Sequence, residues 1–233
     1  MHKLSFVFLI FVSILGCQSD SSKNRENLSA EEHTLKNKYT NTHPELLKVA
    51  QAHGLEAWEK TKKIDFQFNY KQAASEMNRM WSWDLENQMI TRYIEGNEIT
   101  TTTDAKEANP ELHQAFINDT YWLVFPFHLL WTDNFEVEVD PNSNCPMSDK
   151  ELTEISIHFK EIGGYTPVDS YKIYVNEDHM IQSWSFHSGG NNAPDLINAW
   201  ENYQSFEGIL ISMNRPNDTG DIEIYFNEIN VHQ

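Results

Sequence analysis

From Ile64 onward the chain repeats one pattern, short stretches in which apolar and polar residues alternate, and this constrains the fold more than any other feature. Ile64, Phe66, Phe68 and Tyr70 alternate with Asp65, Gln67 and Asn69, which puts four apolar side chains on one face of an extended strand. A period of two cannot be used by a helix, so these segments are committed to half-buried strands. Trp81, Trp83 and Leu85 repeat the pattern. Segments 88–94 and 98–103 flank Glu95-Gly96-Asn97, a glycine-containing turn that predicts a hairpin. In the second half, strands are predicted at 135–139, 154–160 and 171–175, through Met180, Trp184 and Phe186, at 207–213 and at 222–231. Polar turns lie between them, at Asn176-Glu177-Asp178 and Asn217-Asp218-Thr219-Gly220 among others.

Two stretches depart from this period. Pro44 to Ala52 has helical spacing behind Thr42 or His43, and Leu55 to Lys60 keeps an apolar face after Gly54. A second helix is predicted from Pro110, with Asn109 ahead of it. It leads into Tyr121–Trp131, a densely aromatic segment interrupted by Pro126 that either is covered by the sheet or covers something itself. The expected class is α+β, one long curved antiparallel sheet with two or three helices.

The amino terminus reads separately. Met1-His2-Lys3 is a short basic start, and Leu4 to Gly16 is an apolar run too short for a hydrocarbon layer of roughly 30 Å. It ends in Ile14-Leu15-Gly16-Cys17, which resembles the lipobox of bacterial lipoproteins. That resemblance implies a signal peptide over residues 1–16 and lipid on Cys17, which anchors the protein without crossing the membrane. The expected location is the cell membrane or outer membrane, facing the periplasm or the cell surface. Residues 17–42 hold few large apolar side chains and read as a tether. Residues 43–233 read as a single domain.

Seventeen Lys and Arg against 35 Asp and Glu give a net charge of −18, one unit more negative once Lys3 is removed. Such a surface repels nucleic acid and anionic lipid surfaces, so neither is an expected partner. With Cys17 lipidated, Cys145 is the one thiol left, so no intramolecular disulfide is expected.

Two further segments carry a family likeness: His53-Gly54-Leu55-Glu56-Ala57-Trp58 leading into Ile64-Asp65-Phe66, and Phe206-Glu207-Gly208-Ile209-Leu210. With the lipobox and the strand order, they resemble an uncharacterised family of Gram-negative lipoproteins that is itself similar to the LolA and LolB lipoprotein carriers. The resemblance implies a half-open β-barrel, a curved antiparallel sheet wrapped over helices with an apolar cavity for acyl chains between them. This chain has a single glycine at Gly54 where that family's pattern has two, and Ile211-Ser212 where it has Leu-Pro.

No nucleophile elbow, zinc-protease helix, P-loop or dinucleotide fingerprint is present, so no enzymatic activity and no cofactor are expected. Cys145 lies in a polar turn and reads as an ordinary free thiol. His158, His179 and His187 come from neighbouring strands but lack metal-site spacing. Asp140, Asn142, Asn144 and Glu151 stand at positions 1, 3, 5 and 12 of a calcium loop, with Cys145 in place of its glycine; a polar hairpin connection accounts for the same residues. The candidate lining of an apolar pocket is Phe66, Phe68, Trp81, Trp83, Tyr93, Phe125, Phe127, Trp131, Trp184 and Phe186. The same aromatics suit a solid core equally well. Two functions therefore stand open, a membrane-tethered carrier of a lipid or acyl chain and a filled module that meets other envelope proteins. A cavity of roughly 300 Å³ or more beneath the sheet would separate them.

Overall fold

The computed structural model describes residues 38–104, 106–131, 134–160 and 168–233. The leader, Cys17 and most of the tether lie outside the described residues. Asn41–Gln233 form one compact unit with its own core.

Helix α1 (Pro44–Ala52) opens on a proline, whose missing N–H costs nothing in the first turn, and His43 Nδ1 accepts the Glu45 N–H at 3.3 Å. Gly54, at φ 94°, turns the chain into the short helix α2 (Leu55–Trp58). Four strands follow: β1 (Lys63–Gln72), β2 (Ser75–Asp84), β3 (Met89–Ile94) and β4 (Asn97–Thr102). The β3–β4 turn places Glu95 and Gly96 at φ 45° and 83°, the two positive values a two-residue hairpin needs. Helix α3 (Pro110–His128) then leads to β5 (Phe135–Asn144), β6 (Glu151–Phe159), β7 (Ser170–Val175), β8 (Ile181–His187), β9 (Leu196–Ala199), β10 (Glu201–Phe206), β11 (Ile209–Pro216) and β12 (Ile222–His232).

The single sheet expected is in fact two, ordered β10-β11-β12-β1-β2-β3-β4 and β5-β6-β7-β8-β9, and every pairing is antiparallel. The reason is local to Trp200. Its N–H bonds back to Gln182 O at 2.8 Å, so β9 belongs to β8, whereas β10 pairs with β11 one residue later. One extended stretch thus passes from one sheet to the other. An Asn198–Asn217 bridge and the Asn198 Nδ2 to Arg215 O bond at 3.0 Å hold the seam. The result is a curved, unclosed antiparallel sheet system with few helices, the α+β class expected.

The aromatic segment proves to be the second half of α3. The helix runs through Pro126 with a break at Val124, φ −132° and ψ 35°, where the proline ring and its missing N–H disturb the preceding turn. Among the described residues no helix is long and apolar enough to cross a membrane. Phe127 of α3 stacks on Trp58 of α2 at 4.7 Å, Phe116 meets Trp81 and Trp83 edge-on, and Trp122 and Phe125 both meet Trp184. A buried ion pair, Arg79 of β2 with Asp119, fastens α3 to the larger sheet.

The two segments that carry the family likeness dock on one another. Leu210 N–H donates to His53 O at 2.9 Å, and Gly54 packs so closely on Gly208 that a Cβ would stand 2.1 Å from the Gly208 carbonyl oxygen.

Candidate functional site

Helical spacing brings Gln114, Ile117, Asn118, Tyr121 and Trp122 of α3 onto one face. Opposite them, strand alternation turns Tyr171 of β7, Trp184 and Phe186 of β8 and Leu196 of β9 inward; register pairs Tyr171 with Phe186 and Phe186 with Leu196. Between these faces lies an open groove of about 310 Å³. Its walls are mostly hydrocarbon and aromatic carbon, with the two amide side chains near the rim, a composition suited to an apolar guest.

Of the ten aromatic candidates, Trp184 and Phe186 line this groove. Phe66, Phe68, Trp81, Trp83, Phe125 and Phe127 are buried and do not line that groove: Phe66 and Phe68 pack on Phe226, Trp81 and Trp83 on Phe116 of α3, Phe127 on Trp58 and Phe125 on Trp184. Trp81 also borders a second groove of about 490 Å³ against the start of α3, with Arg92, Ile94, Ile99 and Leu112. Tyr93 and Trp131 are 41% and 47% exposed. Tyr93 pairs with Met80 and so faces away from Trp81, whose partner is Arg92. Ile117, Tyr121, Trp122, Tyr171 and Leu196 were not among the candidates; the period 114, 117, 118, 121 through the start of α3 was the signal for Ile117 and Tyr121.

The four residues of the calcium-loop reading, Asp140, Asn142, Asn144 and Glu151, lie along the β5–β6 ladder, where Asp140 pairs with Glu154 and Asn144 with Glu151 across a bulge at Pro141 and Asn142, as in the polar hairpin connection that accounts for the same residues. Asp140 Oδ1 accepts the Asn142 N–H at 3.1 Å.

The outer face of the smaller sheet carries a polar depression of about 350 Å³. Here His158 Nδ1 meets Ser170 Oγ at 2.9 Å, His187 bonds Ser185 Oγ and Asn191 O, and Lys172 pairs with Glu154 at 2.7 Å. His179 lies elsewhere, 3.9 Å from Glu45. Among the described residues no three His, Cys, Asp or Glu side chains converge as a metal site. Cys145 is buried, with Sγ 3.2 Å from Ser183 Oγ.

Two buried histidines set an acid limit on the fold. Burial lowers His53 to about 4, against the opposing pull of its bond to Val49 O, and lowers His128 to about 3. An unfolded imidazole titrates near 6.5, so unfolding takes up protons below that pH. Each histidine's contribution is therefore complete above about pH 6.5 and is lost as pH falls toward its folded value. Urea unfolding between about pH 6 and 4.5 should show a dependence on pH carrying about one proton from each imidazole, and His53→Gln should remove one of them. An unchanged slope in that variant would contradict the assignment.

No protein-family model and no curated protein matches the chain. Among solved structures it is similar to a DUF1329 family protein from Desulfovibrio piger, at 7% identity and TM-score 0.46, covering 82% of this chain and 94% of that one. It is similar to a putative outer membrane lipoprotein-sorting protein domain from Vibrio parahaemolyticus, at 10% identity and TM-score 0.41, covering 80% and 92%. Lipoprotein LppX from Mycobacterium tuberculosis gives 7% identity and TM-score 0.28, covering 81% and 97%.

Proposed function

We propose that Asn41–Gln233 is the ligand-binding domain of a cell-envelope lipoprotein, tethered through lipid on Cys17, and that it shelters an acyl chain in the groove between α3 and the smaller sheet. The groove itself carries this reading. At about 310 Å³ it reaches the size at which ligand pockets begin, roughly 300 Å³, and its aromatic walls offer burial with few polar contacts. The alternative, a filled module that meets envelope proteins, draws on the larger sheet, where Phe66, Phe68 and Trp81 are fully packed and Ile94 and Ile99 stay exposed near the β3–β4 turn.

Native mass spectrometry of the domain purified without detergent tests the proposal. A reproducible lipid adduct is expected, and Phe186→Asp, at a half-buried wall position, should remove it while circular dichroism stays native. Tyr93→Asp, on the other face of its sheet, should keep it. A clean apo mass that survives incubation with phospholipid vesicles would overturn the carrier reading in favour of the interaction module.

A further inference from the structure

Behind the groove wall lies a cation without a counter-ion among the described residues. Arg215, on β11, is fully buried, and none of its three guanidinium nitrogens has a hydrogen-bond acceptor among the described residues. Its Cζ lies 4.1 Å from the Trp200 ring centre and 4.9 Å from that of Phe226, so two aromatic faces hold it. Aromatic faces attract the charge but do not replace hydrogen-bond acceptors, and buried donors left unmet are rare in native folds. Burial lowers Arg215 to about 9, which leaves it charged at neutral pH.

The surroundings compound the deficit. The indole N–H groups of Trp200 and Trp184 are also buried without acceptors among the described residues. Asn198 spends its amide N–H on the Arg215 carbonyl, and its Oδ1 bonds none of these donors. Tyr203 gives its hydroxyl to Ile181 O at 2.8 Å and faces His53, which is neutral. These donors form a column that begins at the groove: Trp184 is in the groove wall, its ring centre is 5.8 Å from that of Trp200, and Trp200 lies on the guanidinium. Two rings separate the groove from the cation.

We infer that the ligand is an anionic amphiphile of the fatty-acid type, whose chain lies in the groove and whose carboxylate pairs with Arg215 once the Trp184 and Trp200 rings that close off the guanidinium turn aside. This rests on the carrier reading and adds the head group to it. A planar carboxylate takes two parallel N–H donors from a guanidinium, the geometry lysine cannot offer. The remaining carboxylate lone pairs suit the two indole donors.

Calorimetric titration of the Asn41–Gln233 domain with oleate and with oleyl alcohol, both below their aggregation limits, tests the inference. Oleate should bind about ten- to a hundredfold tighter than the alcohol, the range expected of hydrogen bonds to a charged group. Arg215→Met should abolish that preference while still binding the alcohol, and Arg215→Lys should keep part of it. Carboxyl-labelled oleate, followed by carbon NMR on the unaltered domain, should stay ionised well below its free titration range, which decides the matter should the methionine variant fail to fold. Equal affinity for the two probes, or an undiminished preference in Arg215→Met, would overturn the head-group inference and leave the carrier reading standing. Binding of neither probe would overturn both.

Discussion

Gly54→Ala lowers the stability of the domain by about 3–5 kcal/mol, the largest loss expected from adding a single methyl group. Two effects combine. Gly54 sits at φ 94°, and holding an L-residue in left-handed space costs about 1–2 kcal/mol. The new Cβ would also lie 2.1 Å from the Gly208 carbonyl oxygen, a backbone atom that cannot swing aside as a side-chain end would. Relieving the overlap means parting α2 from the β10–β11 turn, which breaks the Leu210 to His53 bond and opens the contact around Leu55 and Ile209. Gly96→Ala is the matched control. Its φ is 83° but no atom lies within 4 Å of the added carbon, so it should cost only about 1 kcal/mol. Urea melts of the two variants measure the difference directly; equal losses would refute the docking argument.

Asp119→Ala is expected to cost a similar amount by a different route. Its carboxylate is fully buried and accepts from Arg79 Nε at 2.7 Å, from a second Arg79 nitrogen, from Trp81 Nε1 at 2.7 Å and from Asn118 Nδ2 at 3.0 Å. Burial raises its titration above the ordinary carboxylate range, and these donors, Arg79 foremost, oppose that rise. Removing one partner of a buried pair costs about 3–5 kcal/mol because the other charge is stranded. Arg79 is 17% exposed and recovers some hydration, so the lower half of that range applies. For a domain of this size the loss lowers Tm by roughly 6 °C or more. Replacing both partners, Arg79→Met with Asp119→Leu, should cost much less than Asp119→Ala alone, since no unpaired charge remains. A single variant within about 1 kcal/mol of the parent would show that the pair does not hold α3 to the sheet.

The strands were legible because alternation is a property of each segment alone. Ile64, Phe66 and Phe68 take the same face in the sheet as in the written pattern, and Gly96 marks its hairpin by a backbone need that few residues meet. What could not be read is settled by pairing across the fold. Asp140 to Asn144 suit a ligand loop or a hairpin connection by sequence, and in the fold Glu151 and Leu152 extend β6 alongside them, with Pro141 placed in a bulge where its missing N–H is harmless. The division into two sheets turns on the direction taken by one N–H, that of Trp200, in a stretch with no period break. Of the groove, Trp184 and Phe186 were legible as alternating strand aromatics. Its helix side was hidden because it uses turns of α3 before the kink, Gln114, Ile117 and Asn118 as well as Tyr121 and Trp122, whereas aromatic density and Pro126 mark only Tyr121–Trp131. Arg215 gave no local sign at all, since its isolation from carboxylates exists only in three dimensions.

The position of β12 has a consequence for how such a chain comes into being. The final strand lies between β11 and β1, paired with β1 from Lys63–His232 to Gln72–Ile222. The middle of the larger sheet therefore waits for residues 222–232, and β1 is made long before its neighbour exists. A nascent chain of this design keeps the larger sheet open until β12 has been made. Premature termination before Ile222 would remove the centre of that sheet rather than trim its edge.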